Sequence, residues 1–124
     1  MPAVRVDDVL RETGLPFAPC AFNNPPDGTY AVYNEEVTRR GADLVNCITE
    51  HDVTIEVYAY DFFDEEAVRA VMRALDRRAV EYKRYETVYI NSEHLYQTRF
   101  EFGFVLKDGA GERLGRELGY DRDF

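Results

Sequence analysis

Residues 61–78 read DFFDEEAVRAVMRALDRR, and this stretch decides how the rest of the chain is arranged. Apolar side chains recur there at the spacing of a helix with one apolar face: Ala67, Val68, Val71, Met72, Leu75 and Ala79. Acidic residues 64–66 stand at the start, where the helix dipole favours anions, and Arg77 and Arg78 stand at the end, where it favours cations. The pattern predicts an amphipathic helix that covers a sheet built from the flanking segments.

Strand patterns lie on both sides of this helix. Residues 44–60 are the longest candidate, and from Val53 onward apolar residues alternate with polar ones. After the helix, residues 81–90 and 94–106 are separated by three polar residues and are predicted to form an antiparallel pair. In the second of these segments, Phe100, Phe102 and Phe104 share one face, as expected of a half-buried strand.

The first third of the chain predicts one helix and two shorter strands. The apolar residues within 4–13 have helical spacing. Gly14 is predicted to end this helix in a left-handed turn, and Pro16 prevents the helix from continuing beyond it. Residues 17–22 and 29–33 are predicted strands, joined as a hairpin through a loop over residues 23–28 that carries two prolines. The polar residues 34–43 are predicted to form an exposed loop.

These elements favour an α+β fold. Strands and helices do not alternate regularly, so we expect a mainly antiparallel β-sheet of about five strands with two helices packed on one face. A single α+β domain is predicted over residues 1–106. Residues 107–124 form a Gly-rich C-terminal extension that holds four of the eight glycines.

Composition and net charge argue against two classes of function, nucleic-acid binding and association with a membrane. The chain has 124 residues, is 45% hydrophobic and carries a net charge of −9, which argues against DNA or RNA as the main ligand, because phosphate backbones are bound by Lys and Arg. No apolar run has the length of a membrane span and no signal peptide is recognised, so we expect a soluble protein without a membrane partner.

The sequence offers no catalytic constellation. Ser92 is the only serine and lies outside any nucleophile motif. Cys47 and His51, four apart on a predicted strand, would lie roughly 13 Å apart, too far to share a metal. We therefore predict no enzyme activity, no cofactor and no metal. We expect His51 to face the surface, and Cys20 and Cys47 to be buried or half-buried free thiols.

Tyrosine is unusually frequent in this chain. The tyrosines that stand in or beside predicted strands are Tyr30, Tyr33, Tyr58, Tyr60, Tyr82, Tyr85, Tyr89 and Tyr96. Tyrosine is enriched at protein–protein interfaces, because its ring buries area while its hydroxyl stays polar. Ordinary burial would place about half of them in the core. The remainder favour an assembly protein over an enzyme.

Several short motifs resemble a known family. They are Thr13-Gly14-Leu15-Pro16, Ala21-Phe22, Pro25-Pro26, Tyr30-Ala31-Val32-Tyr33, Gly41-Ala42-Asp43, Val53-Thr54-Ile55-Glu56-Val57-Tyr58 and Ser92-Glu93-His94-Leu95-Tyr96-Gln97. In this order and spacing they resemble small proteins encoded in the tail-morphogenesis region of phages and prophages. The resemblance covers roughly residues 8–106, and the Gly-rich extension lies outside it.

The resemblance implies a head–tail joining protein of the tail terminator, or tail completion, type. Such proteins have a mixed α/β domain that assembles as a six-membered ring. The ring would cap the tail tube and present a surface to the head connector protein. The implied partners are further copies of the chain, the tail tube protein and the head connector, with DNA only passing through the lumen. The implied location is the head-proximal end of the virion tail, after synthesis in the bacterial host cytoplasm.

We expect a subunit or tail interface that draws on two tyrosine-rich segments and on residues 34–43. Its candidate residues are Tyr30, Tyr33, Arg39, Arg40, Asp43, Tyr58 and Tyr60. The loops 23–28 and 34–43 are expected to project, and acidic residues to line the lumen, where they would repel DNA. A head-side connector or stopper is an alternative from the same class. A small ligand-binding α+β module is an alternative from another class.

Overall fold

The computed structural model describes residues 4–41, 47–60 and 64–107 and has an α+β fold, as predicted. Those ranges contain two helices and a six-stranded, mostly antiparallel sheet. In chain order the elements are α1 (Val6–Thr13), β1 (Phe17–Pro19), β2 (Tyr30–Arg40), β3 (Ile48–Ala59), α2 (Glu65–Arg77), β4 (Tyr82–Arg84), β5 (Val88–Ile90) and β6 (Leu95–Lys107).

The strands follow the order β1-β2-β3-β6-β4, and β5 also pairs with β6. Both β4 and β5 run antiparallel to β6, with Lys83 opposite Glu101 and Val88 opposite Gln97. This confirms the predicted pairing of residues 81–90 with 94–106. Residues 85–87 separate β4 from β5, so the predicted single strand is two short ones.

The predicted hairpin between β1 and β2 is wrong, because the two strands are parallel. Phe17 lies opposite Ala31 and Pro19 opposite Tyr33. A hairpin turn reverses the chain, whereas parallel strands need a longer connection that returns it to the same end. Residues 20–29 provide that connection, and it begins at Cys20, whose φ of 68° turns the backbone sharply.

The predicted loop over residues 34–43 is also wrong, because β2 continues to Arg40. All seven residues from 34 to 40 are exposed. A strand with neither face buried has no need for alternating apolar residues, so its composition is that of a loop. Residues 42–46, including Asp43, lie outside the described residues.

The chain divides into two compact units. The main unit comprises residues 4–35 and 52–103 and contains both helices. Both helices and the sheet contribute fully buried side chains to its core: Leu10 in α1, Val71 and Leu75 in α2, Ile55 in β3 and Phe100 in β6. The helices contact each other. Neither described helix, of 8 and 13 residues, is long and apolar enough to cross a membrane.

Helix α2 forms where the charge pattern predicts it. Asp64 is its N-cap, and the Asp64 carboxylate accepts a hydrogen bond from the Ala67 backbone N–H at 3.1 Å. The same carboxylate accepts a second hydrogen bond at 2.8 Å from the Thr29 hydroxyl. The helix ends at Arg77, so Ala79 lies past it with a φ of 56°. Ala79 is exposed, contrary to its predicted place on the apolar face, and Ala74 is buried instead.

Helix α1 ends at the predicted glycine. Gly14 has a φ of 79°, in the left-handed region that glycine adopts without steric cost, and its N–H donates to the Arg11 carbonyl at 3.3 Å. Residues 61–63, which precede the second helix, lie outside the described residues. So do residues 108–124, which make up nearly all of the predicted extension.

The smaller unit includes the described residues 36–41, 47–51 and 104–107. Its buried side chains include Cys47, Thr49 and His51. The His51 ring stacks on Phe104 with a centroid distance of 4.5 Å and an interplanar angle of 5°. The predicted surface position of His51 is therefore wrong. Cys47 is buried as expected, whereas Cys20, in the connection after β1, is exposed.

Candidate interaction surfaces

Three tyrosines lie at the edge of the sheet formed by β5 and the start of β6, and we call the residues on both faces of this edge the aromatic surface: Arg84, Tyr85, Val88, Tyr89 and Tyr96. Val88 is 49% exposed and Tyr89 is 48% exposed. The rings of Tyr89 and Tyr96 lie 4.9 Å apart at 54°. Val88 and Tyr89 are exposed because β5 is only three residues long and pairs with one end of β6, whereas Tyr85 and Tyr96 are half-buried.

Two adjoining open grooves cross this surface. The larger has a volume of about 550 Å³ and is lined by Arg84, Tyr85, Glu86, Thr87, Tyr89 and Tyr96. The smaller has a volume of about 350 Å³ and is lined by Tyr85, Glu86, Val88, Gln97 and Arg99. Tyr85 and Glu86 line both. Tyrosine and arginine side chains line both grooves, and both residue types are enriched at protein–protein interfaces.

Tyr85 is held in place from several sides. The Lys83 ammonium lies 4.6 Å, and the Arg99 guanidinium 4.2 Å, from its ring centroid. Its hydroxyl donates to the Glu101 carboxylate at 2.7 Å. This hydrogen bond, followed by burial, raises the pKa of Tyr85. The side chain therefore loses little freedom when a partner binds, which favours affinity.

A second tyrosine network lies between β3 and β6. The Tyr58 hydroxyl donates to Glu56 at 2.9 Å and accepts from the Gln97 amide at 2.9 Å. The Tyr58 ring stacks on Tyr30 at 5.3 Å and 23°. Burial, opposed by the Gln97 hydrogen bond and reinforced by Glu56, raises the pKa of Tyr58 to about 12.

The raised pKa of Tyr58 predicts a loss of stability at alkaline pH. Below pH 10 the phenol is protonated in both the folded and the unfolded chain. Above pH 10 the unfolded chain loses the proton first, so folding is penalised as pH rises to about 12. The loss reaches up to about 2 kcal/mol, since one pKa unit corresponds to 1.36 kcal/mol and partial exposure reduces the effect.

Urea unfolding between pH 9 and pH 12 measures this effect against Tyr58→Phe. The variant lacks the ionisable phenol, so we expect its free energy of unfolding to decline less steeply over this range. At pH 7 it is expected to be about 1 kcal/mol less stable than the wild type, because Gln97 loses its acceptor. Parallel pH profiles for the two proteins would contradict the assignment.

Of the predicted interface residues, Tyr30, Tyr58 and Tyr60 lie together, whereas Tyr33 lies elsewhere. Tyr30 is buried and contacts Tyr60, Tyr58 and the Phe22 ring, and Tyr60 itself is 38% exposed. Burial, then the neighbouring Tyr60, raises the pKa of Tyr30. Half-buried Tyr33 lies apart from this cluster, with its ring 6.3 Å from that of Phe17.

Two further predicted interface residues, Arg39 and Arg40, are exposed near the end of β2. The Arg39 guanidinium donates to the Thr49 hydroxyl at 3.2 Å. Arg40 forms an ion pair with Glu50 at 2.7 Å. Asp43 lies outside the described residues. The interface role of all seven predicted residues stays a prediction.

The tyrosines of the aromatic surface are not among the residues that the sequence predicts for the interface. Their signal was present, since residues 84–89 read RYETVY and interleave aromatic and charged side chains. Their exposure could not be predicted, because it depends on how β4 and β5 divide along β6. Within residues 4–41, 47–60 and 64–107, no group of three or more His, Cys, Asp or Glu could hold a metal ion.

No protein-family model matches this chain, and no curated protein matches its sequence.

Proposed function

We propose that this protein is a structural component of a phage or prophage virion, a tail terminator that caps the tail tube and joins it to the head. In this role several copies assemble as a ring, with six the expected number. The motif resemblance over residues 8–106 motivates the proposal, and the α+β fold is compatible with it. The role involves no catalysis.

The aromatic surface is the observation that carries the proposal. Val88 and Tyr89 are each about half exposed, on opposite faces of β5. Exposed large side chains beside open grooves mark a candidate contact with another protein. Tyrosine rings of this kind dominate the energy of protein–protein contacts. The Tyr85 side chain is already held in place in the free chain by Lys83, Arg99 and Glu101. It therefore does not have to be ordered when a partner binds. We assign this surface to the contact with the tail tube or with a neighbouring subunit.

The acidic character of the chain suits a ring through which DNA passes. The net charge is −9, and like charges keep DNA from adhering to a lumen wall. Acidic residues exposed in the described chain, such as Glu65 and Glu66 at the start of α2, are candidates for that wall. A basic lumen in a ring structure would contradict this part of the proposal.

The shape of the grooves favours assembly over the binding of a small molecule. Small-molecule sites enclose most of their ligand and direct a few polar groups at it. Both grooves here are open, and Arg99, which lines the smaller one, forms an ion pair at 3.5 Å with Glu101 outside the groove. A head-side connector would use the same kind of surface and is separated from a terminator by where the protein sits in the virion.

Immunogold electron microscopy of virions from the parent phage tests the proposal, with antibody raised against this chain. We expect gold particles at the head-proximal end of the tail, including on tails that have not yet joined a head. Label on the vertices of filled, tailless heads instead would assign the protein to the head side. Virions without label, confirmed by the absence of the chain from their mass spectra, would contradict both structural roles.

A further inference from the structure

We propose that the aromatic surface binds an arginine side chain of a partner protein, with Glu86 as its counter-ion and the rings of Tyr89 and Tyr96 as its aromatic contacts. The inference rests on the proposed function only in taking this surface as a contact with another protein, and it adds the chemistry of that partner. Its basis is a β-bulge at the edge of the sheet, the pairing of the charges around it, and the cation contacts that the surface already makes.

A β-bulge separates β4 from β5. Arg84, in β4, lies opposite Phe100. Val88, in β5, lies opposite Gln97. Three residues stand between these two pairs on the edge strand, whereas two stand between them on β6. The extra residue makes a bulge, a feature that is common beside binding sites because it redirects a side chain.

The bulge is formed by Tyr85 and Glu86. The hydroxyl groups of Thr87 and Thr98 lie 2.6 Å apart, so the register of β5 extends back to this pair. The Tyr85 N–H donates to the Arg99 carbonyl at 2.8 Å. Tyr85 and Glu86 therefore stand together opposite one residue of β6, and both of them line both grooves.

Glu86 is the charged residue of the grooves for which the described chain provides no partner. Its side chain is exposed, and its carboxylate forms no hydrogen bond or ion pair with the described residues. The two cations that line the grooves are both engaged. Arg99 pairs with Glu101 at 3.5 Å, and Arg84 also has an interaction partner within the chain. Because opposite charges meet across a specific interface, the Glu86 carboxylate favours a cation on the partner.

The aromatic surface already holds cations of its own chain. The Lys83 ammonium lies 4.6 Å, and the Arg99 guanidinium 4.2 Å, from the centroid of the Tyr85 ring. The larger groove contains two further tyrosines, Tyr89 and Tyr96, whose rings lie 4.9 Å apart at 54°. A cation that enters this groove therefore meets aromatic rings as well as a carboxylate.

Arginine fits this combination better than lysine does. A guanidinium is planar, so it stacks on an aromatic ring and donates two hydrogen bonds to a carboxylate. A lysine ammonium is compact and strongly hydrated, and it lacks this planar geometry. The net charge of −9 adds a long-range attraction for a cationic partner. An uncharged side chain in the groove would leave Glu86 without a counter-ion.

Nuclear magnetic resonance titration of the full, isotope-labelled chain with Nα-acetyl-argininamide tests the assignment. We expect saturable shifts at the backbone amides of residues 85–89 and of Tyr96. Nα-acetyl-citrullinamide has nearly the same shape without the charge, and Nα-acetyl-lysinamide has the charge without the planar group. Both should bind more weakly at equal ionic strength, by about threefold or more, since ion pairs and cation–π contacts at exposed sites are each modest.

Two substitutions and a matched control locate the contact. Glu86→Gln keeps the shape of the side chain and removes its charge, so we expect it to weaken binding of the arginine probe by about threefold or more. Tyr89→Leu keeps an apolar side chain without the aromatic face and should weaken binding by about twofold or more. Asp27→Asn removes one carboxylate from the exposed connection before β2 and should leave binding unchanged.

Several results would overturn the proposal. Equal binding of the citrulline or the lysine probe, or no saturable shift with the arginine probe, would exclude an arginine site. Tighter binding of the corresponding glutamate amide would make this a site for an anion. Glu86→Gln binding the arginine probe like the wild type would exclude Glu86 as the counter-ion. These results concern the isolated chain, so they are distinct from a failure of the tail-terminator role, which is decided in the virion.

Discussion

Replacing Phe100 with alanine is expected to lower the free energy of unfolding by about 3–5 kcal/mol. Phe100 is fully buried and lies in β6, which is paired on one side with β3 and on the other with β4 and β5. Its ring centroid lies 6.0 Å from that of Tyr82. Truncation removes the largest of the fully buried side chains and leaves a cavity that surrounding strands cannot close without breaking their pairing.

Urea unfolding followed by circular dichroism measures this loss, with Val105→Ala as the matched control. Val105 lies on the same strand but is 46% exposed, so its truncation should change the free energy of unfolding by less than about 0.5 kcal/mol. The slope of the unfolding transition should be the same for all three proteins. A loss of less than about 1 kcal/mol for Phe100→Ala would contradict the placement of this ring at the centre of the core.

Under the proposed tail-terminator role, replacing Tyr89 with glutamate is expected to abolish that role while leaving the fold intact. Tyr89 is 48% exposed, so the substitution removes little buried area from the folded chain. In the proposed contact it removes an aromatic ring and buries an unpaired charge. Such a change at the centre of an interface typically costs roughly 2 kcal/mol or more of binding free energy.

Complementation of a gene deletion in the parent phage measures this effect as the titre of infectious particles. Tyr89→Phe is the matched control, because it keeps the ring and loses only the hydroxyl bond to His94 at 3.1 Å. We expect Tyr89→Phe to complement and Tyr89→Glu to fail, with thermal unfolding curves close to that of the wild type for both. Full complementation by Tyr89→Glu would exclude the aromatic surface from the function.

The parts of the fold that depend on local pattern were predictable. The alternation from Val53 to Ala59 gives the buried face of β3, and the charges around α2 locate that helix to within a few residues. The same alternation extends backward and would have placed Thr49 and His51 inside. The surface position predicted for His51 is nevertheless wrong, and its stacking on Phe104 joins residues far apart in sequence.

The parts that depend on distant pairing were not predictable from pattern. β1 and β2 are parallel because the connection over residues 20–29 brings the chain back to the end at which β1 began. The spacing of apolar residues carries no information about the path of that connection. Residues 34–40 form a strand that the sequence does not reveal. Both of its faces are exposed, so it lacks the alternating apolar residues by which a strand is predicted. The contacts that hold Tyr85 in place were unpredictable for the same reason. Lys83 is close to Tyr85 in sequence, whereas Arg99 and Glu101 come from another strand.

Tail length in lysates of a gene-deletion phage is the measurement that tests the proposed function most directly. Electron micrographs of negatively stained particles give the length distribution, which can be compared with that of the intact phage. A missing terminator predicts tails of uncontrolled length, many of them longer than normal, that are not joined to heads. Tails of normal length beside unjoined, filled heads would contradict the terminator role, and normal infectious particles would contradict any role in joining head to tail.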